Sequence, residues 1–150
     1  MQNSAATIDT TTHAAEVQAA RQRAVLWREE DAAFIRITGA DVAAWLHAQT
    51  TNDITSLQTG QGNLNTILDR QGRVQAAFSV HRWEDEYWLL TVRAQAPALI
   101  EKLESVLFIE DVTIEAASDE VDHVVIQGPR SIRTLARALD TAEAIRAEHL

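Results

Sequence analysis

The 150-residue sequence contains no cysteine. Disulfide bonds, thiolate zinc sites, cysteine-ligated iron–sulfur clusters and cysteine nucleophiles are therefore excluded for this chain. It also lacks an apolar run long enough to cross a membrane. The N-terminal residues have no apolar signal-peptide core. We therefore expect a cytoplasmic protein without a membrane partner.

Basic residues are in the minority, because 13 lysines and arginines stand against 22 acidic residues and give a net charge of -9. Such a surface repels nucleic acid unless a local basic patch exists. Two segments are dense in arginine, namely Arg21, Arg23 and Arg28, and Arg130, Arg133 and Arg137. Acidic residues flank both segments, so we interpret them as solvated helix faces and expect no direct binding of nucleic acid.

Metal-binding and nucleophile patterns are also missing. None of the five histidines stands three or four residues from another, so no helical pair of metal ligands is predicted. Ser79 and Ser105 lack the context of a nucleophile elbow. Gly60-Gln61-Gly62 is too short for a dinucleotide-binding fingerprint. Residue spacing alone indicates neither a metal site nor catalysis.

The length suits a single domain. Residues 1–12 are polar and rich in threonine, which predicts a disordered N-terminus, and residues 13–150 are expected to form one domain. Residues 13–30 are dense in good helix formers and predict a helix. The next segment, 32–39, is rich in β-branched and aromatic residues and predicts a strand that stops at Gly39.

The remaining pattern alternates irregularly between helix and strand. Residues 40–50 predict a helix, and Asn52 could adopt a left-handed conformation at its end. A hairpin turns at Gly72, and further strands are expected at 86–92 and in the stretches before and after residue 120. Helices should follow Pro97 and cover 131–148. This order predicts an α+β fold, with helices on one face of a mostly antiparallel sheet in the split βαβ manner.

An ordered set of motifs within residues 32–135 resembles the N-terminal half of the YgfZ/GcvT-type folate-binding superfamily, which includes the aminomethyltransferases. The residues that carry the likeness are Gly39, Asp41, Trp45-Leu46, Gln49, Thr51-Asn52-Asp53, Gly72 and Gln127-Gly128-Pro129. The resemblance implies a ligand of the tetrahydrofolate type. It places the pterin-binding positions at Leu64, Asn65, Gln75, Ala76 and Phe78.

Four of these five residues have a structural alternative of about equal weight. Leu64 and Phe78 could belong to the core, while Asn65 and Gln75 could be solvated strand residues. In the folate-binding interpretation, Asn65 and Gln75 offer hydrogen-bond donors and acceptors to a pterin edge, and Phe78 packs on its ring. Thr51-Asn52-Asp53 is more easily explained as the end of a helix, held by bonds from side chains to the backbone.

The family resemblance also bears on catalysis. In aminomethyltransferases the catalytic aspartate belongs to a Gly-Gly-x-x-Asp-Asp pattern that begins at the hairpin glycine. The corresponding run here begins at Gly72, and the acidic pair is replaced by Ala76 and Ala77. The YgfZ branch also lacks that pair. We therefore expect a non-catalytic folate-binding protein of YgfZ type, with a role in iron–sulfur cluster maintenance and linked tRNA modification. The alternatives are a tetrahydrofolate-dependent aminomethyltransferase subunit or a structural subunit like the small subunit of sarcosine oxidase.

Two departures from the YgfZ pattern affect the expected partners. The Lys-Gly-Cys signature of that branch is missing, and the chain has about half the usual family length. A fragment, a natural short form and one subunit of a split protein all fit these facts. We therefore expect either a homodimer or a complex with a chain that supplies the C-terminal half.

Overall fold

The computed structural model describes residues 10–138 of the chain. In chain order, its elements are α1 (Thr10–Gln22), β1 (Val25–Arg28), β2 (Ala32–Thr38), α2 (Val42–Gln49), β3 (Gly62–Leu68), β4 (Val74–Trp83), β5 (Glu86–Val92), α3 (Ala96–Glu104), β6 (Thr113–Ala116), β7 (Val124–Gln127) and α4 (Ser131–Ala138). These elements fall into two compact units, a larger one spanning Glu30–His123 and a smaller one made from the two flanking segments.

The larger unit is built on a five-stranded sheet of order β3-β4-β5-β2-β6. Every neighbouring pair in it is antiparallel. Alternate residues of β2 are fully buried, including Ile35 and Ile37, because successive side chains of a strand point to opposite faces. Ile35 pairs with Leu89 of β5, which itself pairs with Val80 of β4. One face of the sheet is therefore apolar across its central strands.

Helices α2 and α3 cover this apolar face. Val42, Trp45 and Leu46 of α2 and Leu99 and Leu103 of α3 are buried in the same cluster as the strand residues. Their spacing of three and four residues places them on one side of each helix. The expected α+β architecture, with helices on one face of an antiparallel sheet, is confirmed.

The smaller unit pairs β1 with β7 in antiparallel fashion, from Val25 opposite Gln127 to Arg28 opposite Val124. Helices α1 and α4 precede β1 and follow β7. Gly128 ends β7 with a φ of +125°, and a Cβ atom there would lie 2.6 Å from the carbonyl oxygen of Arg23. Only glycine permits this conformation and this close approach between the two chain segments.

The predicted helix over residues 13–30 is only partly correct. The helix ends at Gln22, and Val25–Arg28 is a strand. Local helix propensity is a weak preference, and here the pairing with β7 overrides it. The predicted disordered segment, residues 1–12, lies largely outside the described residues, but its last three residues already belong to α1.

Other boundaries agree well with the sequence patterns. The strand over 32–39, the helix over 40–50, the hairpin at Gly72 and the third strand at 86–92 are all present. The final helix is described as far as Ala138, and the rest of its predicted length lies outside the described residues. The left-handed conformation expected for Asn52 is wrong, because among the described non-glycine residues only Glu84 has a positive φ. Thr50 ends α2 in an extended conformation instead.

No helix within residues 10–138 is both long enough and apolar enough to span a membrane.

Candidate functional site

An open groove lies between α3 and the start of β4 in the larger unit. Its volume is about 440 Å³, within the range of roughly 300–1,000 Å³ typical of small-molecule sites. Three alanines, Ala76, Ala94 and Ala98, contribute to its lining, and their small side chains leave the space open. The polar side chains that line it are Gln75, Gln95, Glu101, Lys102 and Ser105. Such a mixture of small apolar and polar groups suits a flat heterocycle with hydrogen-bonding edges.

The β3–β4 hairpin fixes Gln75 at this groove. The carboxylate of Asp69 accepts hydrogen bonds from the backbone N–H groups of Gln71 and Arg73, both at 2.9 Å. It also accepts one from Arg73 Nε at 2.7 Å and one from Gln75 Nε2 at 3.4 Å. Hydrogen bonds from Arg73, first from its backbone, lower the pKa of Asp69 below its ordinary value. The ionised carboxylate thus holds the turn together beside the groove.

Helix α3 supplies the other wall. Ala98, Glu101, Lys102 and Ser105 recur at helical spacing and all line the groove, whereas Leu99 is buried at its edge and Leu103 packs into the core. Glu101 and Lys102 bring one negative and one positive group to the same surface. These α3 residues were not among the predicted site residues. The signal that could have found them is the polar stripe at positions i, i+3, i+4 and i+7 from Ala98.

Asn65, a predicted ligand contact, is buried and only 2% exposed. Its Oδ1 accepts a hydrogen bond of 2.9 Å from the backbone N–H of Asn52. Its Nδ2 donates a bond of 2.6 Å to Oδ1 of Asn63. The two polar ends of the side chain thus both have protein partners, which a buried amide requires. Asn65 joins the loop after α2 to strand β3.

The loop at Thr51-Asn52-Asp53 is held by several further bonds. The side-chain amide of Asn52 donates to the carbonyl of Leu64 at 3.1 Å. Asp53 Oδ1 accepts bonds from the N–H and the hydroxyl of Thr55, at 2.9 and 2.8 Å. Hydrogen bonds from Thr55 and then Ser56 lower the pKa of Asp53. His47 Nδ1 lies 3.5 Å from Asp53 Oδ1. The loop therefore uses its polar groups mainly on the protein itself.

The five predicted pterin-binding residues do not share one surface. Gln75 and Ala76 line the groove, whereas Asn65 and Phe78 lie opposite each other on the β3–β4 ladder and are both buried. Leu64 is 78% exposed on the other face of the sheet. The structural alternatives differ in outcome. Phe78 lies in the core, as its alternative predicts. Leu64, predicted to be a core residue, is exposed, and Asn65, predicted to be solvated, is buried. The alternation of side chains along β3 explains why Leu64 is exposed while Asn65 is buried, because neighbouring residues of a strand face opposite sides of the sheet.

No group of three or more histidine, aspartate or glutamate side chains in the described part of the chain is arranged to hold a metal ion.

Comparison with known proteins gives a consistent result. The sequence model of the family described as the GCVT N-terminal domain matches residues 4–149. An aminomethyltransferase from Chloroherpeton thalassium is 30% identical over 139 residues, which cover 89% of this chain and 38% of that protein. One from Exiguobacterium sibiricum is 28% identical over 123 residues, covering 80% of this chain and 33% of that protein.

A solved structure shares the fold. The glycine cleavage system aminomethyltransferase T from Bartonella henselae superposes with a TM-score of 0.75 at 22% identity, covering 83% of this chain and 34% of that one. At this identity the likeness concerns the fold alone. The chain spans about a third of the length of the curated relatives it matches.

Proposed function

Because the chain belongs to the GCVT N-terminal domain family, we propose that it binds a tetrahydrofolate-type ligand as part of an aminomethyltransferase-type protein. The observation that carries the proposal is the groove lined by Ala76, which stands at the first of the two acidic positions of the family's motif. The names of the relatives favour this function over the YgfZ-type role expected from the sequence, since the curated relatives described above are aminomethyltransferases.

The residues that line the groove suit the chemistry of a pterin. The Glu101 carboxylate, which lines the groove, can accept two parallel hydrogen bonds from an amino-pyrimidine edge. The Gln75 amide supplies both a donor and an acceptor. Lys102 supplies a positive charge for the carboxylates of the ligand's glutamate portion. The ring itself would lie against the small side chains of Ala76 and Ala98.

Ala76 and Ala77 support a second candidate function. The chain has alanine instead of a carboxylate at both acidic positions of the transferase motif. An alanine side chain can neither hold nor transfer a proton. This favours folate binding without aminomethyl transfer, as in the YgfZ-type role in iron–sulfur cluster maintenance. The two functions differ in one measurement, which is whether the purified chain forms methylene-tetrahydrofolate from an aminomethyl donor.

We further propose that both units belong to one folate-binding-type domain, which the family match over residues 4–149 supports. The groove is open, so part of a bound ligand would remain uncovered. This supports a folate site completed by a second copy of the chain or by a partner chain, as expected from the sequence.

The first test is a calorimetric titration with 5-formyl-tetrahydrofolate, combined with light scattering to measure the oligomeric state. We expect saturable binding at micromolar concentrations. Glu101→Gln should weaken it by roughly tenfold or more, because hydrogen bonds to a charged group contribute about 1.5–3 kcal/mol.

Leu64→Ala provides the matched control. Leu64 lies on the opposite face of the sheet, so its truncation should leave the affinity unchanged. If Leu64→Ala weakened binding and Glu101→Gln did not, the ligand would occupy the other face. Absence of saturable binding to a monodisperse protein would overturn the proposal that this chain binds folate by itself.

A further inference from the structure

The smaller unit has a cleft lined by four arginines. Its volume is about 390 Å³. Arg23 and Ala24 line it from the turn between α1 and β1. The remaining lining residues are Arg130, which directly precedes α4, and Arg133, Thr134 and Arg137 of α4 itself. The structure thus brings together arginines from the two basic segments that the sequence suggested were separate solvated faces.

Backbone contacts hold the two arginine segments side by side. The backbone N–H of Arg130 donates a hydrogen bond of 2.9 Å to the carbonyl oxygen of Arg23. Gly128 allows this approach, because any side chain there would collide with the carbonyl oxygens of Arg23 and Ala20. Arg130 directly precedes α4, and Arg133 and Arg137 follow at intervals of three and four residues, a spacing that places the two helical arginines on one side of α4. The backbone of the smaller unit therefore fixes the position of the cleft.

These arginines have no acidic partner within the described part of the chain. None of the four forms a salt bridge with another described residue, whereas Arg36 and Arg73 are each paired with a carboxylate. Four like charges at one cleft repel one another, and this repulsion is relieved when an anion binds. The cleft is thus locally positive, although the chain as a whole has a net charge of -9.

We propose that this cleft binds a small ligand that carries two adjacent phosphoryl groups. Each guanidinium presents a planar fork of donors that matches phosphate oxygens. A tetrahedral phosphoryl group can accept such forks from several directions at once, whereas a planar carboxylate accepts them mainly in its own plane. The Thr134 hydroxyl adds a neutral donor. All the residues that line the cleft belong to the smaller unit.

The test is a calorimetric titration of the full chain with inorganic pyrophosphate at physiological ionic strength. We expect one saturable site per chain. Arg133→Ala should weaken binding by about tenfold or more, because it removes charge-assisted hydrogen bonds. Arg133→Lys should have an intermediate affinity, since lysine keeps the charge but loses the fork. Circular dichroism verifies that the variants are folded, and Arg137→Ala replaces Arg133→Ala if the latter is not.

Two controls separate a specific site from general attraction between charges. Arg70→Ala removes an exposed arginine from the β3–β4 turn and should leave the affinity unchanged. Citrate, a carboxylate anion, should bind at least about tenfold more weakly than pyrophosphate. The proposal is overturned if pyrophosphate shows no saturable binding, if Arg70→Ala weakens binding as much as Arg133→Ala, or if citrate binds equally well.

Discussion

At the scale of single residues, neighbouring side chains of β3 have opposite roles. Asn65 is buried and donates or accepts hydrogen bonds at both ends of its amide, whereas Leu64 is largely exposed. Burial of an amide is unfavourable unless its polar atoms are bonded. The bonds from Asn65 to the loop after α2 meet this condition. We therefore expect the polar Asn65 to stabilise the fold more than its apolar neighbour Leu64.

Replacing Asn65 should therefore be costly. Asn65→Ala removes the acceptor for the Asn52 N–H and should lower the free energy of unfolding by about 2 kcal/mol. Leu64→Ala, at an exposed position, should change it by no more than about 0.5 kcal/mol. Urea denaturation followed by tryptophan fluorescence measures both values. An equal loss for the two variants would show that the Asn65 bonds do not stabilise the fold.

Asp69 makes the stability of the hairpin depend on pH. Its pKa is lowered in the folded chain by hydrogen bonds from Arg73, so the folded state favours the ionised carboxylate. The resulting stability is present above the unfolded pKa, near 4, and is lost as the pH falls through the folded value. We therefore expect the urea midpoint to fall between pH 5 and pH 3, and to fall less in Asp69→Asn.

Asp85→Asn is the control for this acid effect. Asp85 lies in the neighbouring β4–β5 turn and is exposed. Its substitution should leave the loss of stability on acidification as large as in the parent chain. If Asp69→Asn showed the same acid loss as the parent chain, carboxylates other than Asp69 would be responsible.

At the scale of secondary-structure elements, Gly39 joins β2 to α2 at a point where the backbone is crowded. Its φ is +129°, and an added Cβ atom would lie 2.0 Å from the carbonyl oxygen of Asp111. Gly39→Ala should therefore lower the free energy of unfolding by about 3 kcal/mol or more, through backbone strain and overlap together.

Gly60→Ala isolates the contribution of the backbone conformation. Gly60 also has a positive φ, +83°, but nothing lies within 4 Å of an added Cβ. Its loss should be about 1 kcal/mol, the cost of a left-handed conformation for a residue with a side chain. Thermal unfolding of the two variants gives the comparison. A loss at Gly60 as large as at Gly39 would show that the contact with Asp111 is unimportant.

The sequence predicts those elements whose patterns are local. Strand β2, helix α2 and the hairpin are bounded by glycine and by alternating apolar residues, and their positions follow from these signals. Strand β1 could not be predicted in this way, because Val25–Arg28 becomes a strand only through pairing with Val124–Gln127, about a hundred residues away. Its helical neighbours made a continuous helix the better local prediction.

The candidate sites, like strand β1, depend on contacts between residues that are distant in the sequence. The family motif led to Gln75 and Ala76, which line the groove, but the contribution of α3 depends on tertiary packing. The pairing of Arg23 with Arg130 across the smaller unit also required the fold, because neither segment alone reveals the other.

At the scale of the whole molecule, the two compact units differ in how they are stabilised. The larger unit has five paired strands and a buried core from both helices and strands. The smaller unit has a two-stranded sheet, and α4 has no buried residue among its described positions. An isolated two-stranded sheet is only marginally stable in water. We therefore expect the smaller unit to open at a lower free energy than the larger one.

Hydrogen exchange measured by mass spectrometry tests this difference. Amides of β1 and β7 should exchange at least about tenfold faster than those of β2, because local opening can need far less free energy than global unfolding. Strand β6 is the matched comparison, since it has four residues and one paired neighbour, as β7 does. If the stability of the whole unit determines protection, the amides of β6 should exchange as slowly as those of the other strands in the five-stranded sheet, and the amides of β7 should exchange faster. Equal protection of β1, β7 and β2 would mean that the two units unfold together. Equally fast exchange of β6 and β7 would mean that the position of a strand at the edge of its sheet alone determines its exchange rate.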